Sequence, residues 1–334
     1  MTSWSWSSTG TEVVHEFEGR IRGRTFLITG PSDGGIGAET ALCLASKSPS
    51  TVILAGRDRV KIQPVIDKIT EINSNIKAVF VSLDLSDQFS IRAAAAEING
   101  HFDRIDVLIN NAAIMACPYG TTKDGFEVQF GTNFLGPFLL TGLLLPKLRA
   151  AGPGARIVNV SSSAHRFEGI RFEDIDFEGG TAYDTWKAYG QSKTALILMA
   201  NHLARRIPSR DIASFAIHPG SIASGLQRHV DSESISDARV KSQSITDFEV
   251  ADRKTLQQGC ATTLFAALNP ALEGDATYQV NMVLPANIPS FLDLSGLYFS
   301  DCQLKNPAIH ACGAETADRL WHLGEQLLGE DFNL

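Results

Sequence analysis

Six short apolar segments, each followed by a stretch with helical periodicity, restrict the fold of this chain more than any other feature. The segments are rich in β-branched and aliphatic residues, as buried strands are. They lie at 24–30, 51–55, 77–83, 105–110, 156–160 and 212–217, with a further candidate strand at 276–283 and a last helix at 315–328. Strands that alternate with helices at this spacing predict an α/β fold, a doubly wound parallel sheet of about seven strands with helices on both faces.

The predicted strands share a second property, which is a polar residue, a glycine or a proline at or just after the carboxyl end. In open parallel sheets, ligands bind along that edge. The six residues are Gly30, Arg57, Asp84, Asn111, Ser162 and Pro219. The sequence therefore predicts one extended binding site at this edge of the sheet.

A glycine-rich turn follows the first strand and precedes a helix at 38–45. The turn reads Gly34-Gly35-Ile36-Gly37, and small residues let the backbone approach a pyrophosphate at the positive end of a helix. A plain tight turn uses the same residues. Strand, turn and helix together favour a Rossmann-type nucleotide site.

The end of the second strand bears on which nicotinamide cofactor is bound. Arg57 is the first charged residue there, and an arginine at this place accommodates the 2′-phosphate of NADP(H), whereas an acidic residue holds the ribose of NAD(H). NADP(H) is therefore favoured. The alternative is a solvated Arg57 with Asp58 as the ribose ligand, and Asp58 also suits the N-cap of the helix that runs to Ile72.

Tyr189 and Lys193 stand four residues apart on a helix predicted to run to about Arg206, so both side chains share one face. A free tyrosine has a pKa of about 10, and a lysine ammonium beside it favours the phenolate and lowers that pKa. Such a pair can move a proton to a carbonyl or from an alcohol. The same spacing also arises by chance with a solvated lysine, so the interpretation depends on the residues upstream.

Composition limits the partners of this 334-residue chain. A formal net charge of −8 argues against nucleic acid and against an anionic membrane surface. Five scattered cysteines without a Cys-x-x-Cys motif predict reduced thiols and a cytoplasmic location. Eight histidines lack zinc-ligand spacing, so we expect no metal. The start lacks signal-peptide features, and the apolar run at 134–145 has 12 residues, which is typical of a buried helix rather than a membrane anchor.

The chain is expected to form a single domain with additions. Residues 1–22 are polar and irregular and predict a loose N-terminal arm, with Val13, Val14 and Phe17 packing on the body. Residues 23–334 would form one Rossmann-type domain. The weakly periodic segment 221–253 predicts a mobile lid over the strand ends, and the irregular segment 284–312 would contribute to it.

Several motifs together resemble the short-chain dehydrogenase/reductase family over about residues 23–330. They are Asn110-Asn-Ala-Ala113, Ile157-Val-Asn-Val-Ser-Ser162, Tyr189-Gly-Gln-Ser-Lys193 and His218-Pro-Gly220. They look like the branch that contains retinol dehydrogenases and the WW-domain-linked oxidoreductase. Tyr298-Phe-Ser-Asp-Cys302-Gln is similar to the C-terminal signature of that branch.

The resemblance implies a catalytic tetrad of Asn133, Ser162, Tyr189 and Lys193. Ser162 would polarise the substrate oxygen and Tyr189 would pass the proton. Lys193 would lower the Tyr189 pKa and hold the nicotinamide ribose, while Asn133 would support a water that links Lys193 to solvent. Each residue also has a purely structural interpretation. Asn133 could be a core amide and Ser162 a strand-end cap, and Tyr189 could be a core ring and Lys193 a surface charge. Four such residues in family order favour the tetrad.

The resemblance also implies cofactor contacts along the strand ends. These are Gly30, Ser32, Gly35, Ile36 and Gly37 at the phosphates, Arg57 at the 2′-phosphate, Asp84 and Leu85 at the adenine, Asn111, Ala112 and Ala113 at the ribose, Tyr189 and Lys193 at the nicotinamide ribose, and Pro219, Gly220, Ile222 and Ser224 at the carboxamide. Between Gly30 and Gly35 there is one residue more than in the commonest family turn, and an inward-pointing Asp33 would weaken binding of a 2′-phosphate. Ala113 replaces the usual glycine and Ser224 the usual threonine.

The predicted function is that of an NADP(H)-dependent carbonyl reductase or alcohol dehydrogenase acting on a hydrophobic small molecule. Its pocket is expected near Phe167, Tyr183, Trp186 and the segments 221–253 and 284–300, although aromatic residues there are as often core. One alternative is an NADP(H)-binding regulator or scaffold with little turnover. Another is a membrane-associated retinoid-type enzyme, for which the sequence offers no anchor. Family members often dimerise through the helices that carry Asn133 and Tyr189, so a homodimer could form.

Overall fold

The computed structural model describes residues 4–245, 248, 252–273 and 296–334. Its strands are β1 (Thr25–Thr29), β2 (Thr51–Gly56), β3 (Lys77–Ser82), β4 (Val107–Asn110), β5 (Ala155–Val160), β6 (Ile212–His218), β7 (Ser221–Ile222), β8 (Arg253–Lys254), β9 (Tyr298–Ser300) and β10 (Gln303–Lys305). Its α-helices are α1 (Gly10–Glu16), α2 (Ile36–Ala45), α3 (Arg59–Ile72), α4 (Gln88–His101), α5 (Val128–Phe130), α6 (Gly136–Ala150), α7 (Thr185–Arg206), α8 (Ser232–Gln243), α9 (Leu256–Leu268) and α10 (Ala314–Leu328).

Eight of these strands form one sheet in the order β10-β9-β6-β5-β4-β1-β2-β3. Every described neighbouring pair is parallel except β9 with β10. Because β1 has β2 on one side and β4 on the other, the strand order reverses at the centre of the sheet. The predicted doubly wound α/β fold is confirmed, with eight strands in the described sheet where about seven were expected.

The helices cover both faces of the sheet, and each layer encloses its own apolar core. One core joins α4, α6, α7 and α10 to the sheet through leucines and phenylalanines such as Phe138 and Leu196. The other joins α1, α2, α3 and α9, with Val65 and Leu264 among its buried residues. The central strands are buried on both faces, as expected of a parallel sheet between two helical layers.

The N-terminal segment differs from the loose, irregular arm that the sequence predicted. Residues 10–16 form α1, which begins with a capping box in which Thr9 and Glu12 bond each other's backbone N–H. Val13 and Val14 are fully buried, and Phe17 packs beside them, which confirms their predicted contact with the body. The prediction of a loose arm was wrong because the segment, although polar in composition, packs its apolar residues on α9. That helix is distant in sequence, so the contact could not be read from the local pattern.

The C-terminal edge of the sheet also differs from the prediction. The candidate strand at 276–283 lies outside the described residues. The segment predicted to be irregular, 284–312, supplies β9 and β10, an antiparallel hairpin whose first strand pairs with β6. Strands of three residues are too short to give a readable alternation, so this hairpin depends on its neighbour rather than on a local pattern.

The predicted lid segment 221–253 contains regular structure where it is described. Its central part is α8, and Asp231 caps this helix by accepting a hydrogen bond from the Ser234 N–H. The short strands β7 and β8, at the two ends of the segment, pair in parallel. The two ends of this predicted segment therefore lie side by side.

One described helix is long and apolar enough to cross a membrane, by length and composition alone. It is the continuous helix Val128–Ala150, and 89% of its most apolar window is buried inside the protein. The helix lies between α4 and the residues of α10. Trp321 of α10 packs on Phe138, with 4.5 Å between ring centroids. The predicted buried helix at 134–145 is confirmed.

Candidate active site

Tyr189 and Lys193 lie in the first half of α7, at the carboxyl edge of the sheet. The helix begins at Asp184, whose carboxylate accepts hydrogen bonds of 3.0 Å from the N–H groups of Trp186 and Lys187. Tyr189 is 3% exposed and Lys193 is 2% exposed. The Lys193 Nζ lies 5.6 Å from the centroid of the Tyr189 ring, as the four-residue spacing predicts.

The serines that end β5 connect that strand to α7. Ser161 donates from Oγ to the Lys193 carbonyl at 2.8 Å, and Lys193 donates from Nζ to the Val160 carbonyl at 2.8 Å. The Ser162 side chain hydrogen-bonds the Tyr189 phenol, and its Oγ also accepts from the Ala164 N–H at 3.2 Å. The structure thus brings the second serine of the motif, rather than the first, to the tyrosine hydroxyl.

Burial shifts the pKa values of Tyr189 and Lys193 so that both favour their neutral forms. It raises the pKa of Tyr189 well above its usual value, and the hydrogen bond from Ser162 offsets part of this rise. It lowers the pKa of Lys193 to about 7. The predicted lowering of the Tyr189 pKa by Lys193 therefore does not occur in the protein without a cofactor. The reason is that desolvation penalises both charged forms, and the ammonium points to the Val160 carbonyl.

Asn133 holds the loop that follows β4 against the site. It lies in a π-helical turn, Gly131–Leu135, between α5 and α6. Its Oδ1 accepts from the Ile114 N–H and its Nδ2 donates to the Ile114 carbonyl, both at 2.9 Å. Nδ2 also lies 3.0 Å from Ser192 Oγ, which donates to the Tyr189 carbonyl. A π turn displaces side chains from the α-helical register, and such turns are frequent at functional sites.

An apolar cover lies over Tyr189. Ala116, Ala164, Trp186 and Tyr189 form one buried cluster, against which Met115, Phe167, Val230 and Ala238 pack. Trp186 donates from Nε1 to the Ser234 carbonyl of α8 at 2.9 Å, and Phe248 stacks on Phe167 with ring centroids 5.1 Å apart. Two of the three aromatic residues predicted for the pocket, Phe167 and Trp186, therefore lie beside the tyrosine.

The third predicted pocket residue, Tyr183, is not placed with them. Its ring packs on Tyr119 and Phe177, and its hydroxyl accepts from Gln129 Nε2 at 2.8 Å and lies 3.1 Å from Glu127. Tyr183 thus supports the start of the helix that carries Asn133. Of the predicted pocket segment 284–300, residues 284–295 lie outside the described chain.

Two glycines around the turn after β1, Gly30 and Gly37, have no room for a side chain. Gly30 has φ of +66°, and a Cβ there would lie 2.8 Å from the Ala112 backbone. A Cβ on Gly37 would lie 2.5 Å from Asn111 Nδ2. Ile36 is the first residue of α2, which follows Gly35 as N-cap. Glycines that admit only backbone, at the N-terminus of a helix, fit a pyrophosphate.

The extra residue of this turn has a defined position. The Asp33 N–H donates to the Lys61 carbonyl at 2.9 Å, and the Asp33 carboxylate forms an ion pair with Lys68 at 2.8 Å. Ser32 accepts from the Gly35 N–H through its carbonyl. Asp33 is therefore engaged by α3, so the inward-pointing carboxylate considered in the sequence analysis is not observed.

Arg57 and Asp58 have different surroundings at the end of β2. Asp58 caps α3 by accepting from the Val60 N–H at 2.9 Å, as predicted. Arg57 is exposed and has no ion pair or hydrogen bond within the described part of the chain. The Arg57 guanidinium is thus available to bind an anion, whereas the Asp58 carboxylate already accepts the hydrogen bond from Val60.

The adenine and ribose candidates also lie along this edge. Asp84 accepts hydrogen bonds from the N–H and the hydroxyl of Ser86, at 3.0 and 2.7 Å. Leu85 is buried against Gly136, where a Cβ would lie 2.4 Å from the Leu85 carbonyl oxygen. Asn111 donates from Nδ2 to the Thr29 carbonyl at 2.8 Å, and Ala112 and Ala113 continue the same wall.

The segment after β6 completes the predicted cofactor path. Gly220, after Pro219, has φ of +100°. Ile222 and Ile36 both lie next to Gly259 of α9, so the nicotinamide candidates and the phosphate turn meet there. Ser224 accepts from the Leu226 N–H at 3.4 Å, as a cap of the following turn. The structure thus places all the predicted cofactor residues along one edge, and their binding role stays a prediction.

Sequence reasoning missed two residues that shape this site. Thr29 Oγ1 accepts from the N–H groups of both Asn111 and Ala112, at 3.0 Å each, and so holds the start of the loop after β4 to β1. Gln129 Oε1 accepts from the Ala116 N–H at 2.9 Å, next to Tyr189. The sequence contained only a weak signal for Thr29, which carries a hydroxyl group at the end of an otherwise apolar strand.

Comparisons with known proteins agree with this geometry. The family described as short chain dehydrogenase matches residues 24–174. Retinol dehydrogenase 12 of Mus musculus is 37% identical over 310 residues, which covers 93% of this chain and 88% of that protein. A short-chain dehydrogenase/reductase of Penicillium roqueforti is 35% identical over 322 residues, covering 92% and 86%. The crystal structure of an uncharacterised protein from Mycobacterium paratuberculosis matches with a TM-score of 0.68 and 31% identity over 100% of both chains.

Proposed function

The chain belongs to the short-chain dehydrogenase/reductase family, with relatives among the retinol dehydrogenases, and is an oxidoreductase. From this we propose that it is an NADP(H)-dependent enzyme that interconverts a carbonyl and an alcohol on a hydrophobic small molecule. The observation that carries the proposal is the buried Tyr189, whose phenol hydrogen-bonds Ser162 and whose ring centroid lies 5.6 Å from Lys193 Nζ, beneath an apolar cover.

The chemistry divides between the cofactor and the protein. When bound, the nicotinamide supplies or accepts the hydride. Ser162 donates a hydrogen bond to the substrate oxygen and orients it. Tyr189, kept protonated by burial, gives its phenolic proton to that oxygen in the reductive direction. Lys193 holds the nicotinamide ribose, and its pKa of about 7 lets it return a proton to the phenolate.

The preference for NADP(H) is proposed from the surroundings of three side chains. Arg57 has no partner in the described chain, so its guanidinium is available for a 2′-phosphate. The two nearby carboxylates that would repel that phosphate are engaged, Asp33 with Lys68 and Asp58 with the α3 N-terminus. This arrangement gives the 2′-phosphate a cationic partner at the end of β2.

The hydrophobic substrate is proposed from the cover of Tyr189. Met115, Phe167, Trp186 and Val230 present apolar surface around the phenol, and apolar walls with a few polar groups are typical of small-molecule sites. The relative from Mus musculus is named for retinol, an alcohol with a long apolar chain. An aldehyde or ketone with an extended apolar group fits this cover best.

The test is NADPH oxidation against a panel of apolar aldehydes and ketones, with NADH in parallel. Tyr189→Phe should lose at least about 100-fold in kcat while its Kd for NADPH stays within about twofold of wild type. Tyr119→Phe is the control, because Tyr119 is 38% exposed and its ring packs on Tyr183 rather than in the site.

A regulator that binds NADP(H) without turnover is the alternative. Tight NADPH binding by the wild type, with no oxidation or reduction across the panel, would favour it. Equal turnover by wild type and Tyr189→Phe would exclude the proposed role of the tyrosine.

A further inference from the structure

The tip of the β9–β10 hairpin has an unusual backbone. Asp301 and Cys302 join the two strands, and both have positive φ, 56° and 57°. A two-residue hairpin loop of type I′ requires positive φ at both positions, which glycine and asparagine adopt more easily than cysteine. Non-glycine residues in this region persist when the surrounding structure imposes the conformation, and they cluster at functional sites.

Two contacts impose it here. The Cys302 N–H donates to Thr262 Oγ1 of α9 at 3.2 Å. Asp301 forms an ion pair with Lys254 of β8, with 2.5 Å between Nζ and Oδ1. The Lys254 side chain is only 2% exposed, so its ammonium has left water and depends on this carboxylate.

Lys254 also lies against the segment that follows β6. A Cβ on Gly220 would lie 2.6 Å from Lys254 Cδ, so the lysine stem passes directly over the glycine backbone. Lys254 is in register with Ile222 in the β7–β8 pair. On the other side, Ser300, the residue before Asp301, is in register with His218 in the β6–β9 pair. The backbone from His218 to Ile222 thus pairs at one end with Ser300, the residue before Asp301, and at the other end with Lys254.

We infer that the Lys254–Asp301 ion pair positions the backbone of Pro219–Ile222 for the nicotinamide. The pair joins β8 to the hairpin tip, and we expect residues 219–222 to shift only when the pair breaks. The inference rests on the proposed function, because it assigns this segment to the cofactor. Lys254 and Asp301 are positioning residues and need not touch the cofactor.

The experiment compares Lys254→Met, Asp301→Asn and the double variant with wild type. Methionine keeps most of the lysine stem over Gly220 and removes only the charge. Hydrogen exchange of the peptides covering 216–226 is measured without cofactor, and the Kd for NADPH and kcat are measured separately. Arg24→Met is the control, because it removes another mostly buried ion pair, Arg24 with Asp106, at the opposite end of the strands.

The expected result is exchange at least about tenfold faster across 216–226 in both single variants, with β1 unchanged. Displacement of the segment should lower kcat/KM by about 100-fold, as a misplacement of about 1 Å can. Since the two residues act as one unit, the double variant should be no worse than the poorer single variant. Lys254→Arg should restore much of the loss, and Arg24→Met should lower stability without accelerating exchange at 216–226.

The two proposals fail in different ways. Exchange at 216–226 that matches wild type in a folded Lys254→Met or Asp301→Asn variant would overturn the ion-pair inference, whatever the cofactor does. If Lys254→Met does not fold, Asp301→Asn decides the question, because it removes the charge and keeps the side-chain shape. Absence of NADPH binding by the wild type would overturn the proposed function instead, and exchange would still decide whether the pair holds the segment.

Discussion

At the scale of single residues, burial dominates the chemistry of Tyr189 and Lys193. Both side chains are almost fully enclosed, and the same desolvation raises the pKa of the phenol and lowers the pKa of the amine to about 7. Without a cofactor, the protein thus holds a protonated tyrosine beside a lysine that titrates near neutral pH. A lysine at this pKa can change charge when an anionic cofactor arrives.

The Lys193 pKa predicts a pH-dependent stability. Its value is about 7 in the folded protein against 10.5 for the unperturbed side chain. Between these values the unfolded state binds more protons, so the contribution of Lys193 to the free energy of unfolding rises with pH, by at most about 1.4 kcal/mol per pH unit. Relative to Lys193→Met, the wild type should gain stability from pH 7 to 9.

Urea unfolding at pH 7, 8 and 9 measures this change. Lys187→Met is the control, because Lys187 lies on the same helix with its side chain 46% exposed. Its difference from wild type should stay constant. A pH-independent difference for Lys193→Met would show that the buried amine keeps its charge throughout this range.

The exposed Arg57 side chain predicts that the protein binds NADPH in preference to NADH. Arg57→Ala should weaken NADPH binding tenfold to about 100-fold, the loss of a hydrogen-bonded charge pair, and should leave NADH binding unchanged. Arg59→Ala is the matched control, because Arg59 is an exposed arginine two residues further along the chain and its guanidinium lies 5.6 Å from the centroid of the Phe80 ring. Titration of protein fluorescence with each dinucleotide gives six Kd values, two for the wild type and two for each variant. Equal losses for NADPH and NADH would assign Arg57 a general role.

At the scale of elements, the start of α7 is joined to α8, the helix of the predicted lid segment. Asp184 caps α7 through the N–H groups of Trp186 and Lys187, and it also pairs with Lys241 of α8 at 3.0 Å. Trp186 makes a second link through the Ser234 carbonyl. The N-cap residue of α7 therefore also contacts the helix that lies over Tyr189.

Two variants of Asp184 separate these roles. Asp184→Asn keeps a capping oxygen and loses the ion pair with Lys241, whereas Asp184→Ala loses both. Both should raise the KM of the carbonyl substrate severalfold by loosening α8. Only Asp184→Ala should lose about 1 kcal/mol of unfolding free energy. A KM that rises in Asp184→Ala alone would assign the effect to the cap rather than to the link with the lid.

At the scale of the whole molecule, α10 covers the outer faces of α6 and α7. Trp321 stacks on His202 of α7 and packs on Phe138 of α6, both with ring centroids 4.5 Å apart. Phe332 fills the space over Gly142, where a Cβ would lie 2.3 Å from its ring. These are the helices through which the family resemblance implied a homodimer.

We therefore expect a monomer in sedimentation velocity experiments, because an intramolecular helix occupies the dimer surface. Trp321→Ala should remove about 3–5 kcal/mol of stability by opening a cavity beneath α10. Leu327→Ala, a partly buried residue of the same helix, should have a smaller effect. A wild-type dimer with α10 unprotected from hydrogen exchange would show that the helix leaves this face.

The doubly wound sheet could be predicted from the sequence, because strand and helix periodicities are local properties of the chain. It also predicted that Ser162 and Asn111 lie at one edge of the sheet, since the carboxyl ends of parallel strands share that edge. Three features became visible only in the tertiary structure. They are the ordered packing of the N-terminal segment, the ion pair of Asp33 with Lys68 and the ion pair of Lys254 with Asp301. Their partners lie tens to hundreds of residues apart in the chain, and packing alone brings them within reach. The same packing set the pKa values of Tyr189 and Lys193, because desolvation depends on what encloses a side chain and leaves no trace in local sequence.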